Sequence, residues 1–69
     1  MRGLYLVTPD WDDTEKLLAA SRQAIAGGAR LLQYRHKTAS DVLRSEQASA
    51  LLALCRRLNV PFIVNDHLD

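Results

Sequence analysis

Three short apolar runs recur along this chain, from Leu4 to Thr8, from Ala29 to about Arg35, and from Phe62-Ile63-Val64 onward. Their starts lie about thirty residues apart, the length of one β-strand plus a helical crossover to a parallel neighbour. That repeat constrains the fold more than any other feature. A hairpin needs only a few residues between strands, so spacers this long predict a parallel sheet with right-handed β-α-β crossovers.

Both spacers read as helices. After Pro9-Asp10 closes the first strand, Leu17, Leu18, Ser21, Ala24 and Ile25 follow the three-to-four spacing of a one-sided helix. Asp12, Asp13 and Thr14 can cap its start, and Gly27-Gly28 can end it. The second spacer predicts a helix from Asp41 to Leu58, capped by Ser40 and stopped by Asn59-Val60-Pro61. Its buried stripe is expected to hold Leu43, Gln47, Leu51, Leu54, Cys55 and Leu58, with Gln47 the one polar member. Arg56 and Arg57 fall in the last turn, where cations oppose the negative end of the helix dipole.

The second strand changes character along its length. In Leu31-Leu32-Gln33-Tyr34-Arg35-His36-Lys37 the alternation of a strand sends Leu32, Tyr34 and His36 to one face and Leu31, Gln33, Arg35 and Lys37 to the other. Leu32 and Tyr34 suit a helix-packing face. The opposite face begins apolar and ends in an amide, a guanidinium and an ammonium at the carboxyl end of the strand, where α/β proteins place ligands. Arg offers a planar fork to phosphate oxygens, Lys a mobile charge, and Gln a directional donor and acceptor for a ring edge. The third strand also runs into a polar cluster, Asn65-Asp66-His67. An Asp beside phosphate-binding cations suits Mg²⁺, which takes few carboxylates and completes its shell with phosphate and water. The plainer readings are that Arg35 and Lys37 are solvated loop residues and that Asn65 and Asp66 form a turn or a helix cap. Neither His67, Tyr5 nor Tyr34 is given a ligand role; both tyrosines are expected to pack, and Trp11 to cover a loop.

Composition narrows the partners. Nine Lys and Arg against eight Asp and Glu, interspersed, give a net charge of +1, so no basic footprint for nucleic acid or a membrane surface stands out. The start of the chain has too short an apolar run for a signal segment or a membrane span. One cysteine, Cys55, excludes an internal disulfide and fits a reducing cytoplasmic setting.

The quoted segments resemble the amino-terminal part of the thiamine phosphate synthase family. They are Gly3-Leu4-Tyr5-Leu6-Val7-Thr8-Pro9-Asp10, the run from Gly27 to Lys37, Leu54 to Pro61 with its Cys55-Arg56-Arg57, and Phe62 to Asp69. The resemblance implies an α/β fold: a parallel β-α-β-α-β fragment of a TIM (β/α)₈ barrel, with residues 1–69 the amino-terminal part of a single domain cut short at its carboxyl end. It implies an enzyme, a transferase that joins hydroxymethylpyrimidine diphosphate to a thiazole phosphate and releases pyrophosphate. The substitution is dissociative, with a pyrimidine-methyl cation captured by the thiazole nitrogen. By the same resemblance Gln33, Arg35, Lys37 and Asn65 bind the pyrimidine diphosphate and Asp66 holds Mg²⁺. Later strands would supply the remaining metal and thiazole-phosphate contacts, because a whole barrel takes about 200 residues or more.

Such a fragment is expected to be inactive alone, and its open sheet edges and bare inner face to make it marginal or self-associating. The inner face would carry Leu31 with either Leu4 and Leu6 or Tyr5 and Val7. Two other readings stay open at this point: a thiazole tautomerase-like barrel, and a non-catalytic phosphate-binding fragment.

Overall fold

The computed structural model describes residues 4–64. Five elements follow one another: β1 (Leu4–Val7), α1 (Thr14–Ala26), β2 (Ala29–Tyr34), α2 (Asp41–Leu58) and β3 (Phe62–Val64). The three strands form one sheet in the order β1-β2-β3, and both pairings are parallel. The expected alternation is therefore met, with each helix carrying the chain back so that the next strand can run in the same direction.

Local chemistry sets the helix ends. Asp13 accepts the Lys16 N–H through its carboxylate at 3.2 Å, the contact of an N-cap, and Glu15 adds negative charge in the first turn. At the other end Gly27 N–H donates to the carbonyls of Gln23 and Ala24, and Gly28 takes φ of 119°. Only glycine reaches that conformation without strain, so the Gly27-Gly28 pair turns the chain directly into β2. In α2 the Ser40 hydroxyl accepts the Leu43 N–H at 3.1 Å, and Asp41 opens the first turn. Asn59 closes the helix in the left-handed region at φ 61°. Val60 N–H reaches back to the Cys55 carbonyl at 2.9 Å and Asn59 N–H to that of Arg56, which together are the paired bonds of a Schellman cap.

The register shows which side chains share a face. Leu6 lies beside Leu32 and Leu32 beside Phe62, whereas Tyr5 lies beside Leu31, Val7 beside Gln33, and Gln33 beside Ile63. A register shift between Leu4 and Tyr5 starts this pattern. The first set packs under both helices: Leu17 from α1 and Leu51, Leu54 and Cys55 from α2 meet Leu32 and Tyr34 in one buried cluster, with Leu6, Trp11, Ile25, Val60 and Phe62 around it. Both helices thus cover the same face of the sheet.

The other face is bare. Tyr5 is 66% exposed, Val7 48% and Ile63 46%, so the question left by the sequence resolves to Tyr5 and Val7, not Leu4 and Leu6, beside the half-buried Leu31. Three expectations need correction: Leu43, placed in the buried stripe of α2, is only half-buried and lies outside the core cluster. Tyr5 does not pack but stands on this open face. Leu58 is 42% exposed, because the cap at Asn59 turns the chain away before a last buried turn can form. Among the described residues no helix is long and apolar enough to cross a membrane.

The left-handed cap at Asn59 yields a direct test. Asn59→Ala should lower the free energy of unfolding by about 1 to 2 kcal/mol, since Cβ disfavours this conformation and Asn tolerates it better than most residues. Asn59→Gly should cost little or nothing, and urea unfolding of the two variants measures the difference.

Candidate functional site

The carboxyl end of the sheet is built from three backbone segments: the β1–α1 loop, the residues that follow β2, and the end of β3. Thr8 joins the first two. Its N–H donates to the Gln33 carbonyl at 2.9 Å, and its buried hydroxyl accepts the Arg35 N–H at 3.0 Å while facing the Arg35 carbonyl at 3.4 Å. The hydroxyl stands in for one more ladder residue, so the backbone of Arg35 stays fixed after regular strand pairing has ended.

Beyond Arg35 the alternation continues. His36 turns inward, its side chain 1% exposed, and its Nε2 lies 2.9 Å from Oδ1 of Asp12 in the β1–α1 loop. A carboxylate can only accept, so Nε2 carries the proton when the imidazole is neutral. Arg44 of α2 holds the following segment, donating from Nη2 to the carbonyls of Ala39 at 3.0 Å and His36 at 3.4 Å, and from Nη1 to Asp41.

Gln47 explains its own place in an apolar stripe. Fully buried, it accepts the Tyr34 hydroxyl at 2.7 Å through Oε1, and its Nε2 donates to the Trp11 carbonyl at 2.9 Å and to the Thr14 hydroxyl at 3.2 Å. One amide therefore ties β2, α2 and the β1–α1 loop together. Burial pushes the Tyr34 hydroxyl above its ordinary pKa; Asp10 and Asp12 act in the same direction, and the Arg44 charge opposes them. Burial alone raises the Cys55 thiol. Trp11 covers this loop as expected, half-buried, with the Lys16 ammonium 4.6 Å from its ring centroid.

The residues singled out from the sequence divide by position. Gln33 is half-buried on the open face, Arg35 is half-buried just past β2, and Lys37 is exposed beyond His36. Neither Arg35 nor Lys37 forms an ion pair among the described residues. Asn65 and Asp66, the other two, and His67 lie outside the described residues. Among the described residues no three His, Cys, Asp or Glu side chains come together as a metal site. One groove, lined by Ile25, Arg30, Leu58 and Pro61 among others, sits at the amino end of the sheet, away from this cation pair.

Comparison with known proteins decides the family. A family model described as thiamine monophosphate synthase matches residues 4–69. The chain belongs to that family. It is 65% identical over its whole length to a thiamine-phosphate synthase of Janthinobacterium sp. (strain Marseille), covering 33% of that protein. It is 55% identical over 97% of its length to the synthase of Nitrosospira multiformis, covering 29%, and 60% identical over 94% to that of Bordetella pertussis, covering 30%. The chain thus spans about a third of the length of these curated relatives. No solved structure matches it.

Within this member of the thiamine monophosphate synthase family, Thr8, Asp12, His36, Arg44 and Gln47 are the supporting residues that the sequence did not single out as a group. Gln47 alone gave a signal, since an amide in a buried stripe requires partners. The others become visible only when the loops meet.

The Tyr34–Gln47 bond generates two expectations. Tyr34→Phe leaves Gln47 Oε1 buried without a donor and should cost about 1 to 3 kcal/mol, read from denaturant unfolding. The raised Tyr34 pKa also fixes a sign. Below the ordinary value of 10.0 both folded and unfolded chains hold the proton and the stabilisation is complete. As pH rises from there through the folded value, the unfolded chain releases its proton first and stability falls. Tyr34→Phe should flatten that alkaline decline; an unchanged slope would remove Tyr34 as its source.

Proposed function

We propose that the carboxyl rim of this sheet is the pyrimidine-diphosphate half of a thiamine phosphate synthase site. The reaction joins hydroxymethylpyrimidine diphosphate to a thiazole phosphate, giving thiamine phosphate and pyrophosphate. One observation carries the reading: in a chain of this family, β2 delivers Arg35 and Lys37 to the rim with no carboxylate partner among the described residues. Two unpaired cations beside a half-buried amide suit an anion attached to a polar ring.

The roles follow from side-chain chemistry. Gln33, held on the open face between Val7 and Ile63, pairs with the pyrimidine edge. Arg35 grips diphosphate oxygens with its fork, and Lys37 adds a mobile charge from the exposed loop. As the bond to the methylene carbon breaks, negative charge grows on the departing diphosphate, and these two cations lower the barrier by meeting it there. Asn65 adds a substrate contact.

Mg²⁺ fits the donor set. The two cations serve the diphosphate, β3 runs parallel to β2 so that Val64 pairs beside Tyr34 at the same rim, and the Asp66 carboxylate follows two residues later in the chain. Asp66 would hold the ion, which when bound neutralises part of the diphosphate charge.

The same reading extends to the fold. A sheet wound in the order β1-β2-β3 with both helices on one face is suited to curl with its bare face inward, and Tyr5, Val7, Leu31 and Ile63 are the apolar residues a (β/α)₈ barrel would enclose. Catalysis then needs the strands that the longer relatives possess. A buried free thiol at Cys55 fits a cytoplasmic enzyme.

Calorimetry and steady-state kinetics on the complete product of the reading frame test this. Arg35→Ala should lower kcat by about 10² to 10³, the cost of one lost contact to developing negative charge. Asp66→Ala should remove the Mg²⁺ dependence of pyrimidine-diphosphate binding, as should chelation of the metal. Binding indifferent to both substitutions would return the cations to the status of solvated loop residues and reopen the tautomerase-like reading.

A further inference from the structure

We propose that His36 and Asp12 form a latch between the two loops of the rim that sets the positions of Arg35 and Lys37. The inference rests on the diphosphate reading above and goes beyond it, because neither residue touches the substrate in that reading.

The cations occupy the positions on either side of His36 in the chain, so the backbone that aims them is the backbone that His36 anchors. On the amino side that backbone is already fixed, since Thr8 holds both the N–H and the carbonyl side of Arg35. On the carboxyl side Arg44 holds the carbonyls of His36 and Ala39. Between these clamps the only hydrogen bond made by a side chain of residues 35–37 among the described residues is His36 Nε2 to Asp12 Oδ1 at 2.9 Å. If that bond opens, the β1–α1 loop is no longer pinned beside the cations by His36, and only the backbone clamps of Thr8 and Arg44 are left to hold the spacing of the two charges.

The cost of the imidazole supports a role for its Nε2. His36 Nδ1 is buried and makes no hydrogen bond, a penalty that an apolar side chain of similar volume would not carry. Packing alone therefore gains nothing from a histidine here. The bond joins an inside partner to an outside one: the His36 side chain is 1% exposed and that of Asp12 is 83% exposed. A solvent-facing carboxylate adds little to the core, yet it fixes the β1–α1 loop against the β2–α2 loop, which together border the cations. His36 and Asp12 are thus positioning residues.

The latch is tested by calorimetric binding of magnesium pyrophosphate to the complete product of the reading frame. Asp12→Asn and Asp12→Ala remove the same charge, but only Asn keeps an oxygen to accept the His36 N–H. The Ala variant should bind about fivefold more weakly than the Asn variant, the scale of one hydrogen bond, with unchanged stoichiometry. His36→Leu should show a similar loss, and the Asp12→Ala/His36→Leu double variant no further loss. A merely structural role would lower the unfolding midpoint or the binding-competent fraction and leave the dissociation constant alone. Equal affinities for Asp12→Asn and Asp12→Ala overturn the latch, and they do so whether or not His36→Leu folds. Arg35→Ala separates the two levels: if it weakens pyrophosphate binding while the Asp12 pair binds alike, only the latch fails; if it has no effect, the diphosphate reading and the latch fail together.

Discussion

The hydrogen bond from the Tyr34 hydroxyl to Gln47 Oε1, 2.7 Å long and fully buried, is the interaction on which the arrangement of this rim depends. Parallel strands and amphipathic helices can slide against each other at modest cost, because apolar contact is not directional. A buried amide has four hydrogen-bonding sites and pays heavily for each one left empty, so it accepts few registers. Gln47 fills its sites from three directions: Tyr34 on β2, and Trp11 and Thr14 on the loop and helix that follow β1. Position along α2 and the height of the β1–α1 loop are thereby set by the same side chain.

The rim residues inherit that order. Once the loop is held by Gln47, Asp12 stands within reach of His36, and Thr8 stands within reach of Arg35. Arg35 and Lys37 therefore flank a row of inward-facing polar contacts, with the apolar cluster of Leu17, Leu32, Leu51, Leu54 and Cys55 beneath. Burial falls on Thr8, His36 and Gln47, while Arg35 is half-buried and Lys37 exposed. The two described grooves at the other end of the sheet are lined by helix ends, strand starts and the Asn59-Val60-Pro61 turn.

The open face makes the energetic position plain. Tyr5, Val7 and Ile63 leave apolar surface in water on a sheet of three short strands, with β1 and β3 both at edges. An exposed face and two unpaired edges are what a neighbouring layer or further strands normally remove. The chain matches roughly a third of each relative's length, which accords with that picture.

Much of this was legible without coordinates. The thirty-residue rhythm, the cap candidates from Asp12 to Thr14 and at Ser40, the glycine pair and the alternation through Leu32, Tyr34 and His36 can be read along the chain, and they determined the five elements and the placement of Gln33 on the open face. Periodicity was less informative where a helix ends: Leu58 continues the apolar stripe, yet the Asn59 cap leaves it in solvent. Only the tertiary structure decided which partners Gln47, Thr8, Asp12 and His36 take, because each bond joins residues 13 to 36 positions apart. A hydrogen bond needs its two atoms within about 3 Å, and nothing in the order of residues along a chain specifies that distance until the sheet and helices have brought the loops together.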